Sequence, residues 1–277
     1  MNKSCYMHFK PKAYNVKQNE LTELVPAVFI NGTEIDEVSE TKFLGVIIDN
    51  KLTWSAHIGS LVKKLRCCTG QLSRIKNFIP SSLHKNLYHT LFESHLVYGI
   101  TVWGGISTNK MTPVSVAQKH CIRILYGDKE AYLDKFKTSA RSRPAEAQKL
   151  GAEFYQREHT KPLFNNQQIL TVCNLYHYHT LLETFKIIKT HTPISLYSCF
   201  TQSTRKETLF ITPSYSENFV YSASSMWNIF RTCPEGSKIS DFIVGIGYIK
   251  TKIKELLFRR QKLGDAEEWD ESNSCLR

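Results

Sequence analysis

The stretch KFLGVIIDNKLTW, residues Lys42 to Trp54, decides how this chain reads. Thr41 to Asp49 is a strand-like apolar block that leads into the turn signal Asp49-Asn50. A short half-buried strand cannot stand alone and needs partners and a second layer. Candidates for the partners lie upstream. SCYMHF (Ser4 to Phe9) is a further strand, and PAVFINGTEIDEV (Pro26 to Val38) reads as a hairpin turning at Asn31-Gly32. From Thr53 onward the apolar period changes from two to about 3.6 residues, the repeat of a helix. The expected fold is therefore α+β, a small amino-terminal antiparallel strand region followed by a mostly α-helical body, with a boundary near residue 52.

The second layer begins at once. In SAHIGSLVKKLRCCTGQLSRIKNF, Ile58, Leu61, Leu65, Cys68, Leu72 and Ile75 share one side of a helical wheel, while Lys63, Arg66 and Arg74 share another. An arginine and lysine stripe of this kind either faces water or lies along a phosphate backbone, where it supplies charge without reading base identity. Gly70 weakens the prediction of an unbroken helix, because glycine costs about 1 kcal/mol relative to alanine inside one. A second helix opens at Pro80-Ser81 with a stripe of Leu83, Leu87, Leu91 and Ser94. It gives way at VYGITVWGG, where Val97, Tyr98 and Trp103 read as packing residues. A third runs from Pro113 to Leu125 with Val114, Ala117, Cys121 and Ile124 inward and Gly127 as its end. Further on, helices are expected at residues 167–190 and at about 241–261. In the last, Ile249, Ile253, Leu256 and Leu257 dock while Lys250, Lys252, Lys254, Arg259 and Arg260 stay wet. A basic, proline-broken linker spans 136–150, and residues 263–277 form an acidic tail expected to fray.

Composition narrows the function. The 277 residues are 42% hydrophobic and 12% aromatic, a globular balance. No run of about 18 apolar residues is present to cross a bilayer, and MNKSCYMHFKPK lacks the apolar core of a signal peptide, so no membrane association and an intracellular setting are expected. The eight cysteines are scattered without a CxxC pair and read as reduced thiols. The formal net charge of +11 is compatible with a polyanionic partner. Cys173, His177 and His179 lie close in sequence, but His179 points away from the other two on a helix and three converging zinc ligands are not formed. Phosphate-binding glycine loops, HExxH and serine-hydrolase elbows are absent from the sequence.

The order of motifs adds what spacing does not. MNKSCYMHF, VFINGTEIDEVSETKFLGVIIDNKLTWSAHI, GQLSRIKNFIPSSLHKNLYHTLFESHLVYGITVWGG and AQKHCIRIL resemble, in order and at matching spacing, the reverse transcriptases of non-LTR retrotransposons, the LINE and jockey-like elements of animals. A looser resemblance continues through KPLFNNQQILTVCNLY. It aligns Lys3 with the lysine of polymerase motif D, with Ser4 where threonine is usual, and Phe43, Leu44 and Gly45 with the FLG of motif E, the primer grip.

What the resemblance implies is the end of a polymerase palm at 1–52, a helical thumb-like domain at 53–127 and a helical carboxyl-terminal region at 128–262. The partner implied is an RNA–DNA duplex, with Lys63, Arg66 and Arg74 on its backbone. The family's magnesium or manganese ions are held by carboxylates of motifs that precede the start of the resemblance. No cofactor and no metal ligands are therefore assigned to this chain, and Asp36 and Asp49 read as turn or loop residues. The chain is expected to be the carboxyl-terminal part of an RNA-directed DNA polymerase, inactive alone. The alternatives are part of an active reverse transcriptase in a longer product, or a non-catalytic nucleic-acid-binding module.

Overall fold

The change of period at Thr53 is where strands give way to helices in the computed structural model, which describes residues 4–9, 27–127, 160–203, 209–212, 219–233, 236 and 245–263. Lys3, the linker at 136–150 and the acidic tail beyond 263 lie outside the described residues. Six short strands come first: β1 (Cys5–Tyr6), β2 (Phe29–Ile30), β3 (Thr33–Glu34), β4 (Asp36–Glu37), β5 (Glu40–Phe43) and β6 (Val46–Asp49). They associate only in twos. β2 and β3 are antiparallel and turn at Asn31 and Gly32, both at positive φ as a tight hairpin turn requires. β1 runs parallel to β4.

The block that was read as a single strand is a hairpin. β5 and β6 pair in antiparallel register from Glu40↔Asp49 to Phe43↔Val46, and the chain reverses at Leu44 (φ 45°) and Gly45 (φ 86°). Two consecutive positive φ values match the twist of the flanking strands, and glycine takes its value without a Cβ clash.

The body is built from α1 (Ser55–Ile75), a helical rod made of α2 (Ser81–Leu87), a π-helical turn (Tyr88–Glu93) and α3 (Ser94–Val97), then α4 (Ile100–Trp103) and α5 (Thr108–Tyr126). Among the described residues α6 (Lys161–Gln167), α7 (Val172–Thr190), α8 (Ile194–Tyr197), α9 (Phe219–Thr232) and α10 (Ile246–Leu263) follow. α1 packs along α5, burying Ile58, Leu61, Leu65, Cys68 and Leu72 as the periodicity predicts, and it runs through Gly70 without a break. α5 starts at Thr108 and carries Pro113 inside it, earlier than expected, and Ile122 and Leu125 take the inward positions while Ile124 is half-buried.

α7 is the hub. It packs against α3, α4, α5, α8, α9 and α10, and residues on every side of it are buried, including Thr180 and Thr184. A helix apolar all round belongs in an interior. Thr184 satisfies its hydroxyl by donating to the Thr180 carbonyl at 2.7 Å. The expected helix at 167–190 is α7, which starts five residues later, at Val172, with the Thr171 hydroxyl accepting from the Asn174 amide; α6 ends before it at Gln168, in the left-handed region. Ile249, Ile253, Leu256 and Leu257 are fully buried on α10, as the sequence indicates.

Two buried glutamines hold the connection between α6 and α7. Gln118 of α5, 1% exposed, donates to the Leu170 carbonyl at 2.9 Å and the Tyr88 hydroxyl at 2.8 Å, and accepts from the Val172 amide at 2.8 Å. Gln261 of α10 donates to the Ile169 carbonyl and to Asn165, and accepts from the Thr171 amide and the Asn174 side chain. Each glutamine thus does what a secondary-structure ladder does elsewhere, giving buried backbone groups their partners. One continuous hydrophobic cluster runs from α1 through α10.

Candidate nucleic-acid interface

Asp49 fixes how the hairpin meets α1. Its carboxylate accepts from the amides of Thr53 (2.9 Å), Trp54 (2.7 Å) and Lys51 (3.2 Å), so the left-handed residues Leu52 and Trp54 are folded around one side chain. Partial burial raises this carboxyl, and the amide hydrogen bonds from Thr53, Trp54 and Lys51 more than offset it, leaving the group below the ordinary aspartate range. Lys110 of α5 donates to the Thr53 carbonyl at 2.9 Å and ties the same turn to the body. Asp49 is therefore a turn residue, as its sequence context suggests.

The hairpin then rests on the segment between α3 and α4. Tyr98 donates from its hydroxyl to the Leu44 carbonyl, and a Cβ on Gly45 would stand 3.2 Å from the Tyr98 ring. A Cβ on Gly99, itself at φ +64°, would stand equally close to the Val46 side chain. Tyr98 is 55% exposed and not the core residue expected, whereas Trp103 is fully buried and donates to the Tyr98 carbonyl. Beneath the hairpin His57 is 7% exposed, lies 5.7 Å from the Trp103 ring and accepts at Nδ1 from the Ile47 amide at 3.4 Å. Burial, with Lys64 acting in the same direction, lowers its pKa and keeps the imidazole neutral.

The result is a fixed turn with an apolar tip. Phe43 is 61% exposed and Leu44 75% exposed, although both belong to an apolar motif. Phe43, Leu44 and Gly45 come together as one turn, held from below by Tyr98 and His57. Neither of these two was singled out for that role by sequence.

Lys63, Arg66 and Arg74 are all exposed on α1, the helix that follows β6 through the Asp49 turn. At 100° per residue they fall within about 80° of one another. Gly59 and Gly70 share this face, and a Cβ at either would meet nothing within 4 Å, so internal packing does not demand glycine there. The second helix differs from expectation. His84, Tyr88, Phe92 and Leu96 point inward, while Leu83 and Leu91 are exposed. Among the described residues no group of three His, Cys, Asp or Glu side chains is placed to hold a metal ion, and the seven of the eight cysteines that lie among them are free thiols. Among the described residues no helix is long and apolar enough to cross a membrane.

Sequence comparison finds part of this chain similar to RNA-directed DNA polymerases of mobile elements. The chain is 27% identical over 119 residues to the RNA-directed DNA polymerase from mobile element jockey of Drosophila melanogaster, covering 42% of this chain and 13% of that protein. The jockey polymerase of Drosophila funebris is 28% identical over 119 residues with the same coverage. The Probable RNA-directed DNA polymerase from transposon X-element of Drosophila melanogaster is 24% identical over 107 residues, 37% of this chain and 12% of its own length. The chain therefore has family-level homology to jockey-like reverse transcriptases and matches about an eighth of their length. No protein-family model matches the chain, and no solved structure matches it.

Proposed function

We propose that this chain is the duplex-holding, primer-positioning portion of a jockey-like RNA-directed DNA polymerase. The observation that carries the reading is that the β5–β6 hairpin, with Phe43–Gly45 at its tip, runs into α1 through the turn held by Asp49, and that the exposed face of α1 bears Lys63, Arg66 and Arg74. A polymerase must accept any sequence, so a helix that offers charge to phosphates and no base-reading groups suits the task. The glycines on the same face leave the helix backbone open to close approach. The hairpin supplies placement. A primer end displaced by about 1 Å costs on the order of 100-fold in rate, and a turn locked by Asp49, Tyr98 and His57 resists displacement.

The family's divalent metal does not fit the described residues. Asp49 is committed to backbone amides, and among the described residues no cluster of carboxylates converges. In keeping with the resemblance, whose metal-binding motifs precede the matched segments, the 277-residue chain by itself is proposed to carry out no nucleotidyl transfer, with Lys3 at most assisting a proton transfer organised by other groups. The test is primer extension with an RNA template, a DNA primer, four deoxynucleotides and magnesium or manganese. The expected result is no extension above background. Extension by the purified chain, lost in Lys3→Ala, would overturn this assignment.

A further inference from the structure

A concave site lies where α10 crosses α6 and α7. It is a pocket of about 460 Å³, and its rim carries Lys250, Lys254 and Lys262 of α10. Tyr178 of α7, buried, and Phe258, half-buried, supply its apolar surface, and the amide side chains of Asn165 and Gln168 close the side formed by α6. We infer that this pocket binds single-stranded nucleic acid, with a base against the Phe258 and Tyr178 surface and successive phosphates along the lysines.

Three features of the pocket select that ligand. First, Lys250, Lys254 and Lys262 are exposed, and none is joined to a carboxylate among the described residues. The acidic lining residue, Glu255, is drawn to Lys252 at 2.7 Å, outside the lysine row. Lys254 instead stands over the Tyr178 ring at 5.6 Å, which places a cation and an aromatic ring in the same pocket. Second, residues four apart on a helix rise by about 6 Å, so the row from Lys250 to Lys262 extends about 18 Å. That is longer than one nucleotide and suits a backbone followed over several phosphates. Third, an aromatic surface beside a cationic track is the pattern by which strands with unpaired bases are held without sequence preference. A duplex keeps its bases stacked inside and gives the aromatic surface nothing to contact. The site is separate from α1 and does not depend on the function proposed for that helix.

The test is titration of the full chain with fluorescein-labelled dT12, followed by anisotropy at several salt concentrations, with dTMP as a competitor. Wild-type protein is expected to bind dT12 with affinity that falls as salt rises. Lys250→Gln/Lys254→Gln/Lys262→Gln should flatten the slope of log affinity against log salt by about 2, the share of three phosphate contacts on a single strand. Phe258→Leu keeps apolar bulk in the core and should weaken binding by about tenfold, the effect of one lost base stack. Lys63→Gln/Arg66→Gln/Arg74→Gln, on α1 and outside the pocket lining, should leave dT12 affinity within about twofold. The thermal unfolding of each variant is measured alongside to show that the fold is kept. Unchanged binding in both α10 variants would overturn the site, and so would a Phe258→Leu protein with wild-type affinity, since only charge attraction would then be left. Competition by dTMP at the concentration at which unlabelled dT12 competes would overturn the reading as a strand site. A failure of the α1 variant to affect duplex binding would count against the proposed function alone.

Discussion

Replacing Gln118 by leucine removes a side chain of nearly the same size and exposes how much the body depends on one buried amide. Three partners lose their hydrogen bonds at once: the Leu170 carbonyl, the Val172 amide and the Tyr88 hydroxyl, all in residues that are buried. A buried polar group left without a partner costs about 1–3 kcal/mol. Local relaxation lets some of the three find weaker partners, so the net loss is expected at about 3–4 kcal/mol, a large part of the total stability of an ordinary domain. Urea unfolding followed by far-ultraviolet circular dichroism gives the value. A second variant isolates the cause. Gln118→Leu/Tyr88→Phe removes one orphaned hydroxyl and should regain about 1 kcal/mol over the single substitution, a coupling expected only of groups in contact. A Gln118→Leu protein within about 0.5 kcal/mol of wild type, or a double variant no more stable than the single one, would refute the reasoning.

The hairpin gives two further expectations. Gly45→Ala forces a Cβ to positive φ and towards the Tyr98 ring 3.2 Å away, and should destabilise by about 1–2 kcal/mol, whereas Tyr98→Phe loses a solvent-accessible hydrogen bond that water replaces and should cost under about 1 kcal/mol; chemical denaturation of the two variants settles the order. His57 has a lowered pKa in the folded state, so the unfolded chain binds the proton more readily; its contribution is complete above the ordinary histidine value of about 6.5 and is lost as pH falls below it. The protection of the Ile47 amide against hydrogen exchange, relative to its intrinsic rate at each pH, should fall as pH drops through the lowered folded-state value in wild type and show no such step in His57→Gln.

Long, strongly periodic helices were the most legible part of the fold. The buried row of α1 and the row Ile249, Ile253, Leu256 and Leu257 of α10 follow directly from a 3.6-residue repeat. Asn31-Gly32 was equally clear, because few residue pairs favour two positive φ values. Leu44-Gly45 makes the same kind of turn, but a leucine there hides it inside an apolar run that looks like one strand. In the second helix, Leu83, Leu87 and Leu91 and the row His84, Tyr88 and Phe92 have identical spacing. Residues four apart drift around an α-helix, and the wider π-helical turn at Tyr88–Glu93 takes up part of that drift, keeping the aromatic row inward. Gln118 could not be found by apolar periodicity, since a polar residue at an inward position breaks the pattern whether or not it has partners. The turn proposed to position a primer was located by resemblance to a family; its supports, Tyr98 and His57, act across 54 and 10 residues of sequence and only folding brings them there.

The central claim is that α1 holds nucleic acid by its backbone, and the salt dependence of RNA–DNA hybrid binding tests it most directly. With wild-type protein, log affinity should fall linearly with log salt, and Lys63→Gln/Arg66→Gln/Arg74→Gln should reduce the slope by about 2–3 with little dependence on the sequence of the hybrid. An unchanged slope in that variant, with its fold intact, would contradict the account.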